Sequence, residues 1–173
     1  MANTYQDAKL NALAGFLPAE ASADLEAMQA AFEANRHRIY SLAFWMTDNE
    51  LSAEELMSAT FGRAFAGSDS PSADVIDAAL ITEIRREVAV GPLTLNCATC
   101  SEVKNVRENT LRVHLERAVV QLPITERLIF LLHDVESYEH ARIAKLIGIS
   151  EVESVQGLHQ ARLRMRELLA TMN

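Results

Sequence analysis

The stretch from Leu111 to Leu169 constrains the chain most, because it reads as several short helices closing on a helix-turn-helix. Ala141, Ile143, Ala144, Leu146 and Ile147 give a short apolar-faced helix, Gly148 turns the chain, and Ser150 opens the next helix. Ser150 with Glu153 fits a capping box, in which the hydroxyl accepts an early backbone N–H and the carboxylate reaches back. From Glu151 to Ala170 the apolar set Val155, Leu158, Ala161, Met165 and Leu168 recurs at helical spacing and is expected to face the core. In such a pair the opposite face of the second helix is the one that enters a DNA major groove.

Upstream, Leu25, Met28, Phe32, Ile39, Leu42, Ala43 and Met46 recur at helical spacing as far as Thr47-Asp48-Asn49, which predicts one long helix. A second helix follows, with Ser52 and Glu55 spaced for another capping box and Phe61 and Phe65 facing inward together. Trp45 lies among apolar neighbours and is expected to pack in the core. The small residues of 66–72, with Pro71, form a loop that starts a helix over Ala73–Val88. Gly91-Pro92 through Asn105 shows no sustained helical period and reads as a linker. The expected organisation is an N-terminal extension (1–20), a helical domain (21–89), a linker (90–105) and a helix-turn-helix domain (106–173).

Six Gly, four Pro and little aromatic content beside abundant Ala, Leu, Glu and Arg favour an all-α chain of two small helical domains. No run approaches the roughly 20 apolar residues of a membrane span. The N-terminal stretch also lacks the basic-then-apolar layout of a signal peptide, so a cytoplasmic location is expected. The net charge of −8 is unevenly spread: residues 1–103 hold fifteen acidic and six basic residues, residues 104–173 nine and ten. The basic cluster is C-terminal: Arg162, Arg164 and Arg166 near the end of the long helix, Arg142 and Lys145 on the one before. These cations are spaced to follow a phosphate backbone. The plainer reading is that Arg near a helix C-terminus complements the macrodipole and stays solvated.

The run LERAVVQLPITERLIFLLHDVESYEHARIAKLIGIS, followed by LHQARLRMRELL, resembles the C-terminal, −35-reading domain of extracytoplasmic-function (ECF) sigma factors of the sigma-70 family. Phe32 to Ala66, FEANRHRIYSLAFWMTDNELSAEELMSATFGRAFA, is similar to the N-terminal domain of the same family, in the family's order. The resemblance implies a region 2-like domain followed by a region 4-like domain, core RNA polymerase and promoter DNA as partners, and an anti-sigma factor or other regulatory protein as a further partner. It also implies a polymerase-docking face at Glu54, Glu55, Ser58 and Phe61. The family carries Asp, Gln and Glu where this chain has Glu55, Ser58 and Ala59. The implied DNA-binding set is Arg142, Lys145, Ser150, Gln156, His159, Gln160, Arg162, Arg164 and Arg166. The first turns of the reading helix carry Glu151, Glu153, Gln156 and Gly157, where the family has small hydroxyl and basic residues. SADVIDAALITEIRREVAV corresponds to the family's promoter-melting helix but has no aromatic residue to stack on a flipped base and only Arg85-Arg86 as cations.

Other chemistry finds little support. Cys97-Ala-Thr-Cys100 supplies half of a tetrahedral zinc site, so free thiols, a metal site and a redox pair all stay open, and no metal or other cofactor is assigned. There is no Gly-rich phosphate loop, no HExxH and no nucleophile beside an obvious base, so an enzyme is not expected. Two functions fit: an ECF-type sigma factor, or a sigma-like adaptor that acts by protein contact without melting DNA.

Overall fold

The computed structural model describes residues 19–94 and 112–172. Among these the fold is all-helical, with seven α-helices, one π-helical stretch and no strand. Helix α1 (Ala19–Thr47) is followed by α2 (Glu50–Phe65) and α3 (Ala73–Glu87). The second group is α4 (Arg112–Val120), α5 (Ile124–Phe130) with a π-helical extension (Leu131–Val135), α6 (His140–Ile147) and α7 (Glu151–Thr171).

Local chemistry sets most of these boundaries. Asp48 adopts a left-handed backbone (φ 53°), which Asp tolerates better than most residues, and reverses the chain after α1. Asn49 then caps α2, its side chain accepting from the Ser52 N–H at 2.9 Å. The capping box expected at Ser52 and Glu55 is therefore corrected: Asn49 takes the cap three residues earlier, and Ser52 lies inside the first turn. Ser72 caps α3, which starts where the sequence places it, and Val88 turns extended to end it. Gly148 stops α6 with φ 74°, a conformation in which a Cβ would be strained.

The first three helices pack on one another; α5, α6 and α4 pack on α7. One apolar core runs through both groups, from Ile39, Leu42 and Ile84 to Leu128, Ile129 and Leu158. Phe61 is 4% exposed and its ring meets Phe32 edge-on at 4.8 Å and Phe65 stacked at 5.9 Å. Trp45 is partly buried against this core, edge-on to Phe44.

Arg127 fastens α5 to its neighbours. Its buried guanidinium donates to the carbonyls of Val120 and Leu122, where α4 ends, and to those of Trp45 and Met46 near the end of α1. Each accepting carbonyl lies at or just beyond a helix C-terminus, where backbone acceptors lack intrahelical partners. The start of the expected linker is also held: the Gly91 N–H donates to Thr125 Oγ1, the Thr125 hydroxyl donates to the Gly91 carbonyl, and the Thr94 N–H donates to Glu126 Oε1.

Candidate nucleic-acid interface

Helices α6 and α7 form the helix-turn-helix expected from the sequence. Ser150 caps α7 in a complete capping box: its Oγ accepts from the Glu153 N–H at 3.1 Å, while Glu153 Oε2 accepts from the Ser150 N–H at 2.8 Å. The Ser150 hydroxyl and backbone amide hold the Glu153 carboxyl below its ordinary range. This carboxylate is thus folded back on the helix start and stays ionised there.

The inward arc of α7 is Ser154, Gly157, Leu158, Ala161, Met165, Leu168 and Leu169. Val155, expected in the core, is instead 48% exposed. Successive residues turn by about 100°, so Val155 follows Ser154 out of the buried arc and onto its rim. Gly157, which the sequence places on the reading turns, faces inward: a Cβ there would sit 2.6 Å from Ile129 Cδ1 and 2.9 Å from Leu93 Cδ2. The exposed face is made by Val152, Gln156 and His159, with Val155 at its edge, and Gln160 is half-buried. Sequence reasoning missed Val152, which at 65% exposed stands one turn before Gln156. Its position opposite the apolar set was the available signal. An amide that pairs with adenine and a methyl-bearing side chain that meets thymine are both compatible with an A·T-containing site.

The basic candidates separate into two groups. Arg162 donates to both Asp134 oxygens, at 3.0 and 2.6 Å, and Arg164 pairs with Glu167 at 3.0 Å. Arg142 is held by Asp74 and Asp77, each at 2.7 Å. Lys145 and Arg166 are exposed and carry no ion pair among the described residues. Near Arg162 the stacked rings of His133 and His140 lie 4.5 Å apart, and His140 Nδ1 is 2.9 Å from the buried Ser154 hydroxyl, tying α6 to α7.

A second exposed face lies on α2. Glu54, Glu55 and Ser58 point outward together with Leu51, 66% exposed, and Gly62, whose Cα has open space beside it. Phe61 points the other way into the core, so its share in this face is to fix α2 against α1. Leu51 is a further surface residue the sequence reading passed over; its signal was spacing, one turn before Glu55.

On α3 several polar side chains are engaged within the protein, although Asp74, Thr82, Arg86 and Glu87 are exposed. Glu83 is buried and accepts from Arg63 at 2.5 Å and from Arg86 at 3.0 Å; the Arg63 bond holds its carboxyl low despite burial. Arg85 donates to the Ile147 carbonyl at the end of α6. Among the described residues no three His, Cys, Asp or Glu side chains are grouped to hold a metal, and no helix is long and apolar enough to cross a membrane. Cys97 and Cys100 lie outside the described residues. Residues 112–165, which span α4 to most of α7, match the family described as Sigma-70, region 4. No curated protein matches the chain.

Proposed function

Taking the sigma-70 region 4 match over residues 112–165 as premise, we propose that the chain is an ECF-type sigma factor that brings core RNA polymerase to promoters. The observation that carries this reading is the exposed Val152–Gln156–His159 face on a capped second helix inside the matched segment. A helix-turn-helix presents to base edges the N-terminal turns of that helix. The DNA-binding residues are then Gln156, His159 and Gln160 at bases, with Lys145 and Arg166 at phosphates. Arg142, Arg162 and Arg164 join them by exchanging carboxylate partners for phosphate, and Ser150 orients the helix start.

In this reading α2 docks on core polymerase through Leu51, Glu54, Glu55 and Ser58, on the scaffold set by Phe61. The test is co-elution of the purified chain with core RNA polymerase at moderate salt. Glu55→Lys, at an exposed position, is expected to weaken that association about tenfold or more while leaving the helical circular dichroism intact. Equal retention of the variant would remove α2 from the docking face.

The sigma-like adaptor is favoured by one specific observation, the character of α3. It lacks aromatic residues, and Arg85 and Arg86 are both engaged within the protein. A helix so committed is poorly suited to opening a duplex. The same co-elution experiment separates the readings, because an adaptor acting on another regulator does not need core polymerase.

A further inference from the structure

The side chain of Asp77 on α3 is 3% exposed, and neither functional reading uses it. Three donors from other segments converge on its two oxygens: Arg38 of α1 at 2.6 Å, and the Tyr138 hydroxyl and Arg142 of α6 at 2.7 Å each. Arg38 also donates to the Tyr138 oxygen at 2.7 Å, and the Arg142 guanidinium lies 3.9 Å over the Tyr138 ring. Burial and the bond to Asp77 push the Tyr138 phenol up to about 12, so its hydroxyl stays a donor throughout the physiological range. The cluster joins the region 4-matched half to the N-terminal half across 61 to 100 residues of sequence. Arg85, capping the end of α6, adds a second tie between the same helices.

The cluster lies beside a cleft of about 630 Å³ between α3 and α6, lined by Asp74 and Arg85 on one side and Arg142 and Lys145 on the other. In a helix-turn-helix the first helix crosses the DNA backbone. Here that helix is α6, and α3 lies alongside it with two carboxylates against Arg142. Arg142 cannot neutralise a phosphate while Asp74 and Asp77 hold it, and the same carboxylates repel the backbone.

We infer that the Asp77 cluster is a latch that holds the helix-turn-helix half closed against α3 and competes with DNA phosphate for Arg142. The inhibitory role rests on the DNA-binding reading proposed above; the latch itself does not. Closed chains bind duplex weakly, and opening the latch frees Arg142 and moves the carboxylates away.

Small-angle scattering and fluorescence-anisotropy titration with a labelled mixed-sequence duplex, both on the full chain, test this. Asp77→Asn keeps the shape of the side chain and removes its charge. Glu87→Gln removes the same charge from an exposed position at the end of α3 and serves as the control. Asp77→Asn is expected to enlarge the radius of gyration and to tighten duplex binding about fivefold or more relative to both wild type and Glu87→Gln. An Asp77→Asn chain as compact as wild type overturns the latch. Expansion with duplex binding no tighter than that of Glu87→Gln overturns the competition. Expansion with no duplex binding by any of the three proteins instead removes the DNA reading, and the inhibitory role with it. Should Asp77→Asn fail to fold, Tyr138→Phe deletes one donor from the cluster; it should shift both readouts the same way by less, and no shift in either overturns the proposal.

Discussion

At the scale of single residues, the buried polar groups carry the most specific consequences. Arg127 satisfies carbonyls near the ends of α1 and α4 and in the turn that follows α4, and burial lowers the pKa of its guanidinium. Arg127→Met keeps much of the packing but leaves those acceptors bare, so it is expected to cost about 3 kcal/mol in chemical denaturation. A loss within experimental error would mean the carbonyls find other partners. Burial also pushes the His140 imidazole below its ordinary value, and the nearby charge of His133 adds to the push; Glu139 and Glu151 oppose it, and Arg162 reinforces it. The fold therefore prefers the neutral ring. Its contribution to stability is complete above the unfolded value of about 6.5 and is lost as pH falls through the lowered folded value. The melting temperature should fall as pH drops below about 6.5, and His140→Gln should flatten that slope; an unchanged slope contradicts the assignment. Neither group was legible in the sequence. Arg127 and His140 look like ordinary surface residues until chain segments far apart in sequence close around them.

Elements were far more legible, because capping and periodicity are local. The helix-turn-helix, its Gly148 turn and the Ser150 capping box stand where the residues place them. Ser150→Ala removes the oxygen that accepts the Glu153 N–H, so it should destabilise the protein by about 1 kcal/mol and fray the start of α7. Wild-type stability together with wild-type amide-exchange protection at Glu153 would deny the cap that role. The failures at this scale are instructive. Ser52 and Glu55 have the spacing of a capping box, but Asn49 reaches the free N–H first, because the left-handed Asp48 has already turned the chain. Val155 has core periodicity but sits one step outside the buried arc, and Gly157 looks like a reading position but makes room for Leu93 and Ile129. Such one-residue rotations depend on what packs opposite the helix, which spacing along a single segment does not report.

At the scale of the whole molecule, the all-α class was legible, whereas the packing of the N-terminal helices on the C-terminal ones was not. The sequence presents Arg142 as a cation available to phosphate; the fold gives it two carboxylates from α3, 65 and 68 residues away. Among the acidic residues of the N-terminal half, Asp74 and Asp77 stand against Arg142 in the half that matches region 4. The two proposed readings divide on whether the chain starts transcription. Run-off transcription by core RNA polymerase on a library of randomised upstream sequences, with and without the purified chain, tests that central claim most directly. The sigma-factor account predicts chain-dependent transcripts from templates that share an upstream element. Transcription no different from that of core polymerase alone, with a folded chain at saturating concentration, would contradict it.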